Sequence, residues 1–186
     1  MLTFVIKTNL TSLIMAQKIV AGIDIGGTGT AYGIIDERGN ILAQNKINTR
    51  DFSDFGSFVD TLYSRIIEMT SVVGSGYTLS GIGIGAPAVS AQTGRIEGAV
   101  DLPWPSPIDL RGEFSSKFGL PVGVNNDANV AAIGEATYGA ARGLSDFIII
   151  TLGTGVAFQS APSNMRPIPM TDAINAIEKT IRTSRS

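Results

Sequence analysis

The feature that most constrains the fold is an apolar strand that ends in a glycine turn, Ala21-Gly22-Ile23-Asp24-Ile25-Gly26-Gly27-Thr28-Gly29-Thr30. The apolar run over residues 18–25 predicts a buried strand, and a second apolar run follows over residues 30–35. The turn therefore joins strand to strand. A further run over residues 41–48 lies beyond a polar turn, so this part of the chain predicts a three-stranded β-meander with short connections.

The residues of this turn are suited to binding phosphate. Gly26 and Gly27 let the backbone approach a phosphate and offer its N–H groups, and Thr28 and Thr30 add hydroxyl donors. Asp24 stands at the strand end, where a carboxylate can hold a hydrated Mg²⁺ beside the phosphates. A tight hairpin without a ligand is the alternative, but the combination favours a phosphate site. A P-loop or a dinucleotide fingerprint is excluded, because no Gly-Lys-Ser/Thr is present and no helix follows the turn.

Strand and helix patterns alternate through the rest of the chain, which is typical of an α/β protein. Residues 51–54 resemble a helix cap, and an apolar stripe at helical spacing follows over residues 55–69. Beyond Gly74 the sequence predicts a strand over 79–85, a loop over 89–110, a helix over 110–118, a strand over 122–125, a helix over 128–138 and a strand over 147–152. No strand is expected after Gly153-Thr154-Gly155.

Two further motifs follow predicted strands. In Asn125-Asn126-Asp127-Ala128-Asn129, a carboxylate can take a proton from a substrate hydroxyl while an amide fixes the substrate by hydrogen bonds. The same residues are also good helix caps, and their spacing does not separate the two roles. Gly153-Thr154-Gly155 is chemically similar to the first turn. With that turn it would form the second side of a phosphate clamp.

A rigid wall for a small ligand is predicted from Gly83-Ile84-Gly85-Ala86-Pro87-Ala88, with Asp101-Leu102-Pro103-Trp104 downstream. The indole of Trp104 can stack on a sugar face or pack in the interior. For a lone tryptophan in a loop, packing is the favoured interpretation.

Composition excludes several kinds of function. The chain has no cysteine and no histidine, so disulfides and Cys or His zinc sites are excluded, and its net charge of -2 argues against a nucleic-acid scaffold. Residues 1–17 are expected to be a disordered N-terminal extension with Met15 as the natural start; they are too short and interrupted to span a membrane. A cytoplasmic location is expected.

Together and in this order, the motifs resemble the ROK (repressor, open reading frame, kinase) family of sugar kinases and repressors. The resemblance implies an actin-like (ribonuclease H-like) α/β fold with a mixed sheet and flanking helices over residues 18–150, and an incomplete second domain with a divergent tail over 151–186. It implies ATP and Mg²⁺, a hexose or amino-sugar substrate, no zinc, no nucleic-acid or membrane partner, and a homodimer if the fold is complete. By resemblance, Asp127 is the catalytic base, Gly85, Ala86, Asn126 and Asp127 bind sugar, Asp24, Gly26, Gly27, Thr28 and Thr30 face the phosphates and Mg²⁺, and Gly153, Thr154 and Gly155 match a second phosphate motif.

The chain also departs from the family pattern. The histidine- and cysteine-rich sugar and zinc segments are absent, residues after Val156 do not resemble the family, and Gly29 and Ala157 replace its usual residues. A truncated or frameshifted product, or a fragment, with little kinase activity is therefore expected; robust sugar-dependent ADP release would contradict this. The alternatives are a sugar-sensing repressor module, disfavoured by the lack of a basic recognition helix, and a non-catalytic fragment. The sequence does not distinguish among hexose substrates.

Overall fold

The structure, a computed structural model, describes residues 16–98, 101–144, 147–152 and 156–161. Residues 1–15 of the predicted N-terminal extension (residues 1–17) and the predicted tail after residue 161 lie outside the described residues, whereas residue 17 already belongs to the first strand. The elements are β1 (Gln17–Ile25), β2 (Gly29–Asp36), β3 (Ile41–Asn48), a 3₁₀ turn (Thr49–Asp51), α1 (Phe55–Val73), β4 (Tyr77–Ala86), α2 (Leu110–Phe118), β5 (Val122–Asn126), α3 (Asp127–Tyr138), β6 (Phe147–Leu152) and β7 (Val156–Ala161).

Five strands form one mixed sheet in the order β3-β2-β1-β4-β5. The first three strands along the chain pair antiparallel, which confirms the predicted β-meander. Strands β1, β4 and β5 are parallel. Because parallel strands point the same way, the carboxyl ends of β1, β4 and β5 meet at one edge of the sheet. Ligand sites of open α/β sheets form at such an edge.

Helices α1 and α2 cover one face of the sheet. Side chains alternate along a strand, so Ile82, Ile84 and Ala86 of β4 all point to this face. They pack with the fully buried stripe Phe58, Leu62 and Ile66 of α1. The stripe has the period predicted from the sequence, and its burial helps to hold α1 on the sheet.

Glycines line the opposite face. Gly33, Gly22, Gly83 and Gly123 are successive partners across β2, β1, β4 and β5, and all four are buried. Helix α3 contacts β4 and β5, and its last residue, Tyr138, donates its hydroxyl to the Glu37 carbonyl in the β2–β3 turn at 3.4 Å. The helix therefore lies over this face, on which these glycines present no side chains.

The predicted start and stop signals of the helices are present. Asp54 caps α1 by accepting from the Ser57 N–H at 2.8 Å, and Gly74 ends this helix at φ 122°. Gly119 ends α2 at φ 62°, a left-handed conformation that glycine adopts without steric cost. Among the described residues, no helix has the length and hydropathy that a membrane crossing requires.

The β2–β3 turn is organised by Asp36. Its carboxylate accepts from the N–H groups of Arg38 and Asn40 at 2.9 and 2.7 Å, and from the Asn40 side-chain amide at 2.8 Å. Burial acts to raise the pKa of Asp36, but these hydrogen bonds outweigh it and lower that pKa below its ordinary value.

A second sheet corrects one prediction. Strand β7 pairs antiparallel with β6, from Leu152 opposite Val156 to Phe147 opposite Ala161. The expectation that no strand follows residue 155 was wrong. The run Val156-Ala-Phe-Gln-Ser-Ala has weak strand propensity, but backbone pairing with β6 compensates for it, and pairing of this kind is not visible in composition.

Candidate functional site

A single row of residues crosses the whole five-stranded sheet at the edge where β1, β4 and β5 end. Lys46 of β3 is opposite Ala31, Ala31 is opposite Asp24, Asp24 is opposite Gly85, and Gly85 is opposite Asn125. Residues paired across strands point to the same face of a sheet. The row therefore brings the carboxylate of β1, the amide of β5 and a cation of β3 onto one surface.

A cleft of about 340 Å³ opens over this surface. It contains both the glycine turn and the start of α3, which are a hundred residues apart in sequence. Its lining consists of Asp24, Ile25, Gly26, Gly27, Thr28, Gly29, Thr30, Ala31, Lys46, Arg50, Asp101 and Asp127. The structure thus brings together six of the residues predicted from the sequence as phosphate-binding or catalytic: Asp24, Gly26, Gly27, Thr28, Thr30 and Asp127.

The two glycines of the β1–β2 turn are required by close backbone contacts. The Gly26 N–H donates to the Gly29 carbonyl at 3.0 Å, and a Cβ added at Gly26 would lie 2.9 Å from that same oxygen. A Cβ added at Gly27 would lie 2.5 Å from the carbonyl oxygen of Asp101. Such distances are shorter than van der Waals contact, so both positions exclude a side chain even without a ligand.

The two threonines of the turn have different environments. Thr28 is exposed in the cleft, and its carbonyl accepts from the Thr49 N–H at 2.9 Å. Thr30 is fully buried, and its hydroxyl is 2.9 Å from the Thr49 hydroxyl, which is buried as well. The Thr28 hydroxyl is therefore accessible to a ligand, whereas the Thr30 hydroxyl joins β2 to the 3₁₀ turn.

The start of α3 contains a helix cap and a carboxylate that lines the cleft. The Asn126 side chain accepts from the Ala128 N–H at 3.0 Å, which makes Asn126 the helix cap. Asp127 accepts from the same N–H at 2.8 Å and lines the cleft half-buried. The positive end of the helix dipole favours a negative charge there. Asn126 therefore caps α3, and Asp127 contributes its carboxylate to the lining of the cleft.

The other residues predicted to bind sugar lie beside the cleft or below it. Gly85 is buried in the cross-sheet row next to Asp24. Ala86 is fully buried and its methyl group belongs to the core on the α1 face, so only its backbone is available to a ligand. Gly153, Thr154 and Gly155 lie outside the described residues.

Trp104 packs in the interior and has no free ring face for a sugar. It is only 6% exposed, with ring centroids 4.6 Å from Phe58 and 5.0 Å from Phe55. Its indole N–H donates to the Phe52 carbonyl at 3.0 Å. The interpretation of Trp104 as a packing residue is confirmed, because buried indoles pack and satisfy their single donor in this way.

Two cationic side chains of the cleft, those of Lys46 and Arg50, were not predicted from the sequence. Lys46 and Arg50 come from β3 and the 3₁₀ turn, and both are exposed; the Arg50 Nε–H donates to the Gly27 carbonyl at 3.2 Å. Asp101, which the sequence analysis named only as part of the predicted ligand wall, lies in the loop between β4 and α2 and also lines the cleft. The predicted pairing of β3 with β2 places part of β3 beside the glycine turn. To identify which β3 residue lies there requires the strand register, which the sequence pattern does not specify.

The carboxylates of the cleft suit one kind of metal ion. Within the described ranges, no group of three or more His, Cys, Asp and Glu side chains is arranged to hold a metal. A closed protein cage is therefore not formed by these residues. Mg²⁺ is commonly held by one or two carboxylates together with substrate phosphates and water, and Asp24 beside the glycine turn fits that donor set.

Comparison with known proteins gives consistent results. The ROK family model matches residues 20–160. The chain is 38% identical over 139 residues to a glucokinase of Streptomyces coelicolor, and 34% identical over 145 residues to a glucokinase of Halalkalibacterium halodurans. These matches cover 74% and 76% of this chain but 42% and 43% of the relatives, so the chain spans about two-fifths of their length.

A solved structure agrees with the fold. It is a ROK family glucokinase from Streptomyces griseus in complex with glucose and AMPPNP, which is 35% identical and superposes with a TM-score of 0.65. The match covers 78% of this chain and 45% of that one. The five-stranded mixed sheet with its flanking helices is accordingly the actin-like fold of the ROK sugar kinases.

Proposed function

Since the chain belongs to the ROK family, we propose that it supplies the phosphate-binding turn and the catalytic base of an ATP-dependent hexose kinase. One observation carries this proposal. Asp24, the glycine turn and Asp127 line the same cleft, at the edge where the three parallel strands end. The glucokinases to which the chain is similar, one of them bound to glucose and AMPPNP, support the same function.

The cleft suits a phosphoryl transfer in which the protein mainly positions its reactants. The Gly27 backbone and the Thr28 hydroxyl are placed to donate to phosphate oxygens. Asp127 takes the proton of the sugar hydroxyl as that oxygen forms its bond to phosphorus, and the bond between phosphorus and the departing ADP oxygen breaks. Mg²⁺ held beside Asp24 would neutralise charge on the phosphates.

The sugar would lie on the β4–β5 side of the cleft. Gly85 offers a surface without a side chain, Ala86 its backbone, and Asn126 the part of its amide that does not cap α3. Asp24 on β1 and Asn125 on β5 are two strand spacings, or about 10 Å, apart, and Asp127 follows two residues after Asn125. We therefore place the phosphoryl group and the sugar hydroxyl between Asp24 and the start of α3. The second phosphate motif at Gly153, Thr154 and Gly155, and the domain boundary near residue 150, stay predictions.

A transplantation experiment tests the proposal, because the relatives are more than twice as long as the matched segment. Residues 20–160 of this chain replace the corresponding segment of the Streptomyces coelicolor glucokinase. We expect the chimera to release ADP in a glucose-dependent manner. Asp127→Asn should lower its kcat by about 10²- to 10⁴-fold, the usual contribution of a general base, with ATP binding retained.

Asp54→Asn is the matched control. Asp54 also stands at a helix start and accepts a backbone N–H, but it lies outside the cleft and asparagine caps equally well. This variant should keep full activity. A folded chimera without glucose-dependent ADP release would contradict the kinase proposal, and an active Asp127→Asn chimera would contradict the role of Asp127.

A further inference from the structure

The β1–β2 turn offers a phosphate chain no positive side chain. From Asp24 to Ala31 its side chains comprise one carboxylate, two hydroxyls and apolar or absent groups. A triphosphate carries several negative charges, and Asp24 adds another on the protein side. Backbone N–H dipoles, and one Mg²⁺ if bound beside Asp24, would neutralise part of this charge. A cation that reaches into the cleft from another element would neutralise more.

Two such cations exist in the lining, and both come from the β3 side. Lys46 lies on β3 in the same cross-sheet row as Asp24, with Ala31 between them. Two strand spacings separate the two residues by about 10 Å. The short side chain of Ala31 leaves the intervening surface open, so the Lys46 ammonium can extend along the face toward the turn.

Arg50 is aimed at the turn by a hydrogen bond. Its Nε–H donates to the Gly27 carbonyl at 3.2 Å. Since a guanidinium has five N–H donors in a fixed fork, this bond holds the group against the turn and leaves its terminal N–H groups available for anionic oxygens. Arg50 also follows Thr49, whose N–H and hydroxyl bind Thr28 and Thr30. The backbone that carries the guanidinium is therefore attached to the turn.

Neither cation forms an ion pair within the part of the chain that the structure describes. In residues 16–98 and 101–144 the ion pairs are Arg65–Glu68 and Lys117–Asp60, and they do not involve Lys46 or Arg50. Both side chains are exposed at the cleft. In the cleft, Asp24 and Asp127 lie on the β1 and β5 side, Lys46 and Arg50 come from the β3 side, and Asp101 lies against Gly27 between them.

We propose that Lys46 and Arg50 bind the phosphate chain of the phosphoryl donor, which runs from Asp24 toward the β3 edge of the sheet. This proposal rests on the proposed function, to which it adds two binding residues and a direction for the donor. The acceptor sugar then occupies the opposite side, near Asp127. The chemistry recognised is a chain of phosphate oxyanions, which a nucleoside triphosphate and an inorganic polyphosphate share.

Binding measurements on the 186-residue chain test it. Isothermal titration with MgATP, MgADP, AMP and Mg-tripolyphosphate is performed on the wild type, Lys46→Gln and Arg50→Gln. Each glutamine substitution should lower the affinity for MgATP and for Mg-tripolyphosphate about 5- to 20-fold, as loss of a partly solvated charge-assisted contact does. The decrease in affinity should be smaller for MgADP, and the affinity for AMP should not change. Lys46→Arg, which keeps the charge, should bind MgATP within about threefold of the wild type.

Two controls come from the far end of the sheet. Lys18 at the start of β1 and Arg38 in the β2–β3 turn are exposed and lie outside the cleft. Lys18→Gln and Arg38→Gln change the net charge by the same amount, so they should leave all affinities within about twofold if long-range charge is screened by salt. Circular dichroism verifies that each variant is folded.

Several results would overturn the proposal. One is an unchanged affinity for MgATP in both glutamine variants; another is an equal loss of affinity for AMP and MgATP. The proposal also fails if the Lys18 and Arg38 controls lose as much affinity, or if the wild type binds neither MgATP nor Mg-tripolyphosphate. A lower affinity for MgATP alone supports a nucleotide donor, and a lower affinity for both polyphosphates supports recognition of the phosphate chain itself. Hexose turnover in the chimera tests the kinase proposal by a different measurement, so the two can fail independently.

Discussion

Replacement of Trp104 by alanine tests whether the aromatic cluster beside the cleft is structural. A buried aromatic side chain of this size removes about 200 Å² from water, which at about 25 cal/mol/Å² corresponds to about 5 kcal/mol. Realistic unfolded chains already bury part of that area, and measured Trp→Ala changes are about 3–5 kcal/mol. We therefore expect Trp104→Ala to lower the free energy of unfolding by about 4 kcal/mol.

Thermal and urea denaturation followed by circular dichroism measure this effect. For a chain of this length, about 4 kcal/mol corresponds to a decrease in Tm of about 8–16 °C. Trp104→Phe keeps an aromatic ring, although one smaller than the indole, and leaves the Phe52 carbonyl without its indole donor; it should cost about 1–3 kcal/mol. Val72→Ala is the control: this side chain is 79% exposed on α1, so its removal should change stability by no more than about 0.5 kcal/mol.

The opposite result would refute the packing argument. A tryptophan that stacks on a sugar from the surface of the cleft contributes little to folding. In that case Trp104→Ala would melt within about 2 °C of the wild type, a change below 1 kcal/mol for this size. Its loss would be seen only in sugar binding.

Three other perturbations have defined outcomes. Because the pKa of Asp36 is lower in the folded state, its carboxylate stabilises the fold above the unfolded pKa of about 3.9, and this stabilisation is lost as pH falls through the folded pKa. The difference in urea midpoint between the wild type and Asp36→Asn should therefore shrink below about pH 4. Thr30→Val should cost about 1–3 kcal/mol by leaving the Thr49 hydroxyl unpaired, whereas the double valine variant should cost less than the sum of the single changes in a double-mutant cycle. Gly27→Ala should lower the free energy of unfolding by about 1–3 kcal/mol, because the added Cβ would lie 2.5 Å from the Asp101 carbonyl oxygen. Gly29→Ala, whose Cβ would have its nearest contact at 3.8 Å, should be tolerated. Equal denaturation midpoints for the two variants would contradict the close contact at Gly27.

Much of the site was predictable because its parts are local. The strand, the glycine turn and Asp24 are contiguous, so strand periodicity and turn chemistry identify them together. The start of α3 at Asp127 is likewise marked by capping residues. Hydrophobic period, turn residues and caps act over a few residues, and the sequence displays them directly.

The sequence alone determined the β-meander, the helix boundaries and the residue types able to bind phosphate and accept a proton. Only the tertiary structure decided which of these share a cleft, and that Lys46 and Arg50 join them. Strand order and register depend on pairing between distant segments, which backbone hydrogen bonds and burial of one face select globally. The same physics paired β7 with β6 against a weak local propensity and buried Trp104 among phenylalanines.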